Sequence, residues 1–169
     1  PYSSLDPRMT VEDIIAEPLD IRKLCKNNDA GMFVTTWEAS IDLESGELSY
    51  VNGGHNSPLI KRANGKFEYL RCKPNMVLAV MESLPYRKND LQLEKGDIIF
   101  LYTDGVTEAV NKKLDQFSED RLLNALNSKE FSSCKEICER VYEVLINFVD
   151  GAEQFDDITM LAFKYNGKD

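Results

Sequence analysis

The sequence predicts an α+β fold whose sheet is largely antiparallel. Short strand-like runs between residues 32 and 70 are joined by tight turns, which suit hairpins and leave no room for crossovers. An unbroken apolar run, Ile98-Ile99-Phe100-Leu101-Tyr102, leads into Thr103-Asp104-Gly105, the pattern of a fully buried strand bounded by turn residues. Two amphipathic segments then precede a last strand-like run at 158–165.

Residues 1–22 read as a helical segment. Thr10-Val11-Glu12-Asp13 has the form of a capping box, Ile14, Ile15 and Leu19 give a short apolar face, and Pro18 interrupts it. Leu24 to Asn28 reads as a helical end, followed by Asp29-Ala30-Gly31. Alternation through Phe33, Thr35, Trp37, Ala39 and Ile41 predicts a strand over 32–43. Glu44-Ser45-Gly46-Glu47 turns the chain into a return strand at Leu48-Ser49-Tyr50-Val51. The segment 52–58, Asn-Gly-Gly-His-Asn-Ser-Pro, is dense in turn formers. A second hairpin joins Leu59–Arg62 to Phe67–Leu70 through Ala63-Asn64-Gly65. Met76–Val80 is a short apolar run that suits a buried loop or a strand edge, and Tyr86–Leu93 alternates weakly before the Lys95-Gly96-Asp97 turn.

After the central run, 106–111 suits a helical turn. Ser118 is expected to cap a helix that buries Leu122, Leu123 and Leu126. Ser132 or Ser133 caps a longer one, with Ile137, Val141, Val144, Leu145 and Phe148 at helical spacing and Gly151 as its stop. The Asp150-Gly151 pair reads as a C-terminal cap and not as a site.

The 169 residues, 43% hydrophobic, suit a globular domain with a real core. A formal net charge of -9 with no Lys/Arg cluster predicts no nucleic-acid and no anionic-membrane partner. Cys25, Cys72, Cys134 and Cys138 form no CxxC, and His55 is the single histidine, so a zinc site is disfavoured and reduced thiols are expected. No apolar stretch reaches the length of a membrane span and no signal peptide opens the sequence, so the expected location is cytoplasmic.

Two acidic points carry the chemistry. Asp104 stands at the mouth of the central run, and Asp156-Asp157 stand just before the last one. A carboxylate at a strand end can simply cap the next turn. If the two runs pair antiparallel, however, the end of one lies beside the start of the other. Carboxylates that converge without a cation repel each other and favour a bound dication. Oxygen-only ligation selects Mg2+ or Mn2+.

Residues from about 24 to 164 resemble the C-terminal part of a SpoIIE/RsbU-type, PP2C-like serine phosphatase domain. The carrying motifs are Met32-Phe33-Val34-Thr35, the segment 42–48 (Asp-Leu-Glu-Ser-Gly-Glu-Leu), and 50–59, from Tyr50 through Asn52-Gly53-Gly54-His55 to Leu59. Gly96-Asp97, the segment 101–109 around Thr103-Asp104-Gly105, and Gln154-Phe155-Asp156-Asp157-Ile158-Thr159 complete the set. The resemblance implies a PP2C-like α/β/β/α sandwich of antiparallel sheets, here expected to be truncated at the N-terminal side. It implies that Asp104 and Asp156 are metal ligands, with Gly105 letting the backbone come close and Asp157 in support. It further implies two Mn2+ or Mg2+ ions about 3.5–4 Å apart that activate a water for in-line attack on phosphorus. No protein nucleophile, and hence no catalytic side chain of that kind, is required. The implied substrate is a phosphorylated regulatory protein of the anti-sigma-factor antagonist type. His55 is read as a hydrogen-bonding group of its turn.

The family's upstream Asp-x-x-Gly-His-Gly motif, whose Asp bridges both metals, is absent from these residues, and Ala79 stands where the family often has Gly. Residues 1–21 instead resemble the segment after the Q-loop in ATP-binding subunits of oligopeptide-type ABC transporters. No Walker A loop occurs anywhere in the sequence, which excludes ATPase chemistry. The expected organisation is therefore a foreign or fused segment at 1–22 and a partial phosphatase domain at 23–169. Two functions stay open: a metal-dependent protein serine/threonine phosphatase, or a non-catalytic truncated or chimeric module that binds a partner or self-associates. Missing strands should leave a sheet edge and apolar surface open, which predicts a homodimer through that edge.

Overall fold

The computed structural model describes residues 31–81, 85–154 and 156–168. The expected helix at 10–19, the fused segment and Cys25 lie outside the described residues. In chain order the strands are β1 (Thr36–Ile41), β2 (Glu47–Gly53), β3 (Leu59–Lys61), β4 (Phe67–Tyr69), β5 (Asn89–Gln92), β6 (Ile98–Tyr102) and β7 (Met160–Lys164). The helices are α1 (Asp104–Thr107), α2 (Ser118–Leu126) and α3 (Cys134–Val149). None of the described helices is long and apolar enough to cross a membrane. The described chain divides into two compact units, one of residues 31–55, 72–93 and Lys168, the other of residues 56–71 and 94–167.

The first unit holds a three-stranded antiparallel sheet in the order β1-β2-β5. The β1–β2 turn is built by Asp42, whose carboxylate accepts from the Glu44 amide at 2.8 Å and the Ser45 amide at 3.0 Å. Those bonds hold the Asp42 carboxyl below its ordinary range. The ladder runs from Thr36 opposite Gly53 to Ile41 opposite Leu48. It is thus shorter than the 32–43 strand that alternation predicts. Beyond Gly53 the partner strand leaves at Gly54 (φ +75°), and among the described residues upstream Val34 makes a bridge, to Leu78. Leu78 is fully buried while Met76 and Val80 are exposed, so the apolar run 76–80 packs through its centre.

The second unit holds a four-stranded antiparallel sheet in the order β4-β3-β6-β7. β6 is paired on both sides, and successive residues on both of its faces are buried, which is why its sequence is an apolar run and not an alternation. Phe100 is fully buried and belongs to a core with Leu59, Val106, Phe117, Leu122, Ile137, Val141 and Leu145. The helices supply Val106, Leu122, Ile137, Val141 and Leu145, Phe117 stands at the entry to α2, and the apolar stripes of α2 and α3 cover the sheet.

α3 starts as expected, with Ser133 accepting from the Glu136 amide at 3.2 Å, and it ends at Asp150 in the left-handed region followed by Gly151. Ser118 does not cap α2. Its φ is +69°, and the helix shows no side-chain cap bond. The chain enters α2 through Phe117, fully buried against Phe148 with ring centroids 5.4 Å apart, so packing fixes the entry where a hydroxyl was expected to. Asp97 in the β5–β6 connection is buried too, and it accepts from Arg62 at 2.6 Å and from the amides of Ala63 and Glu94.

Candidate metal centre at the β6 and β7 ends

β6 and β7 pair in the antiparallel register that the sequence suggested, ending with Tyr102 opposite Met160. Thr103 continues the junction beyond the strand. Its amide donates to the Thr159 carbonyl at 3.1 Å, and its hydroxyl donates to the Asp157 carbonyl at 2.9 Å while accepting from the Thr159 amide at 3.0 Å. One threonine therefore ties the start of α1 to the 156–159 loop. Sequence reasoning did not assign Thr103 this part. Its signal was there, as the polar residue that ends an apolar run next to an Asp-Gly pair.

Gly105 brings the two acidic points together. A Cβ at this position would collide with the Asp157 carbonyl oxygen and would lie 3.0 Å from the Asp157 carbonyl carbon and 3.3 Å from the Asp156 oxygen. Only a residue without a side chain permits that approach. Asp104 opens α1, and its carboxylate accepts from the Gly105 amide at 3.1 Å. The Asp156 carboxylate accepts from the Asp157 amide at 2.7 Å, and the Asp156 carbonyl accepts from the Gln154 side chain at 2.7 Å. Asp104, Asp156 and Asp157 are all exposed.

The donor set suits a hard dication. Carboxylates stand at the start of α1 and on the adjoining 156–157 loop, and among the described residues none of the three forms an ion pair with a Lys or Arg. Oxygen-only ligands of this kind select Mg2+ or Mn2+ over softer metals. Among the described residues no group of three or more His, Cys, Asp or Glu is placed to hold an ion.

His55 serves its turn in the first unit. Asn52, 2% exposed, accepts from the His55 amide at 2.8 Å and donates to the His55 carbonyl at 2.9 Å, and the ring Nδ1 lies 3.0 Å from the Thr35 hydroxyl. The Asn-Gly-Gly-His motif is accounted for by these bonds.

The family model for stage II sporulation protein E (SpoIIE) matches residues 12–166. This chain belongs to the SpoIIE family. Protein IcfG of Synechocystis sp. is 34% identical over 141 residues, covering 83% of this chain and 22% of that protein. The phosphoserine phosphatase RsbU of Bacillus subtilis is 30% identical over 141 residues, covering 82% of this chain and 41% of that protein. The chain thus spans less than half the length of these relatives. A stretch of 32 residues is 66% identical to the oligopeptide transport ATP-binding protein OppF of Bacillus subtilis, covering 19% of this chain and 10% of that protein.

Among solved structures, the SiaA-PP2C domain of Pseudomonas aeruginosa is similar with a TM-score of 0.73 at 18% identity, covering 86% of this chain and 57% of that one. The phosphatase domain of SpoIIE from Bacillus subtilis is similar with a TM-score of 0.63 at 13% identity, covering 98% of this chain and 79% of that one. At such identities the likeness is one of fold, and the fold of this SpoIIE-family chain is the α+β fold of PP2C domains.

Proposed function

We propose that this chain is part of a metal-dependent protein serine/threonine phosphatase in which Asp104 and Asp156 are metal ligands. The observation that carries the reading is the packing of Gly105 against the Asp156–Asp157 backbone, which sets two carboxylate-bearing loops side by side. Asp104 and Asp156 would hold Mn2+ or Mg2+, Asp157 supports its loop, and Thr103 keeps the two loops in register. A bound dication supplies charge for the phosphoryl oxygens and lowers the pKa of a water to near neutrality. The chain's own work is to hold two carboxylates on rigid strand ends and to keep them unpaired with cations. The substrate class that suits the family is a phosphoserine on a regulatory protein of the anti-sigma-factor antagonist type.

Hydrolysis of a generic aryl phosphate with Mn2+ tests this reading. Turnover lost in both Asp104→Asn and Asp156→Asn is expected, while turnover unchanged in both would overturn it.

A second reading, a non-catalytic module that self-associates, draws on a different observation. β1 is an edge strand, and the residues before it, Met32, Phe33 and Val34, are 69%, 60% and 49% exposed. An apolar, exposed stretch beside an edge strand invites a second copy. Sedimentation velocity would show a concentration-dependent dimer on this reading, which Phe33→Lys should dissolve.

A further inference from the structure

The second unit carries a cavity beside the candidate metal ligands, with Asp156 on its border. It has a volume of about 350 Å3, in the range of small-ligand and side-chain sites. Its floor is apolar, formed by Ala109, Val110, Leu145, Ile146, Val149 and Ile158. Ile146 and Val149 are one turn apart on α3 and lie off the stripe Ile137-Val141-Leu145 that the core consumes. Ile146 remains 44% exposed, so α3 leaves an aliphatic side chain uncovered here, one turn from the exposed Tyr142.

Among the described residues the rim has a single sign of charge. There Glu108, Glu153 and Asp156 line the cavity with no Lys or Arg, and none of the three forms an ion pair. The nearby Lys112 is already paired, with Asp150 at 3.1 Å. An apolar floor under an acidic rim complements an apolar side chain flanked by cationic ones. A metal or a phosphate would leave the floor uncovered, and an anionic ligand would meet like charge.

Asp156 lines this cavity and is also a candidate metal ligand, and Gly105 lines it at the other loop. We infer that the cavity is a specificity pocket for a peptide segment of the phosphoprotein substrate, seating one large aliphatic or aromatic side chain next to a Lys or Arg. The inference rests on the phosphatase reading for the word substrate, and the pocket's ligand chemistry stands apart from turnover. A phosphoserine whose charge a bound dication would offset beside the carboxylates would bring neighbouring residues of an extended peptide over the pocket, each advancing the chain by about 3.3 Å. Apolar burial then sets affinity, and the rim charges select the flanking base.

The test is a metal-free titration of the 15N-labelled full chain with the unphosphorylated peptide acetyl-Leu-Arg-Phe-Arg-amide, followed by amide chemical shifts. Saturable shifts confined to Ala109, Ile146, Val149, Ala152 and Glu153 are expected, with binding weakened roughly tenfold or more by Ile146→Arg and by Glu153→Lys. A peptide with Ser for both Arg should bind roughly tenfold more weakly. Shifts spread over the acidic surface, affinity unchanged in both variants, or equal binding of the Ser peptide would each overturn the proposal. Both substituted residues are exposed, so the fold is expected to tolerate them. Because the titration contains neither metal nor phosphate, a pocket that binds in a chain without turnover would overturn the catalytic reading alone. Turnover with no localised shifts would overturn the pocket alone.

Discussion

Gly105 lies against the carbonyl of Asp157, across a gap with no room for a methyl group. The contact joins residues fifty-two positions apart and is made by main chain on one side, so neither partner can swing away. Everything proposed for Asp104 and Asp156 depends on it.

Gly105→Ala should therefore disturb the junction. The added Cβ meets backbone that the Thr103 bonds hold in place. Overpacking of this kind costs about 1–3 kcal/mol. Thermal unfolding should show the loss, and Mn2+ affinity should fall along with it.

Ala79→Gly should do the opposite for stability. Ala79 has a φ of +70°, in the left-handed region where a Cβ costs about 1–2 kcal/mol. Relief of that strain is partly offset by the greater entropy of glycine in the unfolded chain, about 0.5–1 kcal/mol. A small net gain in denaturant midpoint is expected. The family's frequent glycine at this position has a backbone reason.

Most of the fold was legible in the sequence because it is written in local patterns. The apolar run at 98–102, the hairpin turns at 44–47 and 63–65, and the helical stripe from Ile137 to Phe148 each specify their element without help from distant residues. The antiparallel pairing of β6 with β7, which the sequence allowed only as a condition, is met in the structure. What was not legible arose from tertiary contacts. Ser118 looks like a cap, yet the burial of Phe117 sets the backbone there. The β1 ladder stops short because Gly54 takes its partner away. At the candidate site the two aspartates could be named in advance, whereas the bonds of Thr103 to the far loop could not, since they need both strands in register first.

Asp97→Ala should be among the most damaging changes in the second unit. The carboxylate is buried and takes bonds from the Arg62 guanidinium and from two main-chain amides. Its removal leaves those amides without their acceptor. A loss of about 2–4 kcal/mol is expected in chemical denaturation. Arg62→Ala should cost less, because Arg62 is 45% exposed and water can replace it at the surface.

Glu136 gives the start of α3 a pH dependence. The Lys129 ammonium, followed by the Ser132 amide and hydroxyl, pulls its carboxyl from 4.5 down to about 2. Because the folded value is depressed, the contribution is present above about pH 4.5 and is lost as pH falls through about 2. Glu136→Gln should be less stable than the parent chain at pH 6, and the difference should fade between pH 4.5 and 2 in an acid-unfolding series.

The central claim is that Asp104 and Asp156 hold a dication, and calorimetric titration of the chain with Mn2+ tests it most directly. Loss of groups that merely orient metal ligands costs about 10- to 100-fold in affinity. Loss of a ligand itself should cost at least that much. The account predicts saturable Mn2+ binding that weakens about a hundredfold or more in Asp104→Asn and in Asp156→Asn. Binding of equal strength in the parent chain and both variants, or no binding in the parent chain, would contradict it.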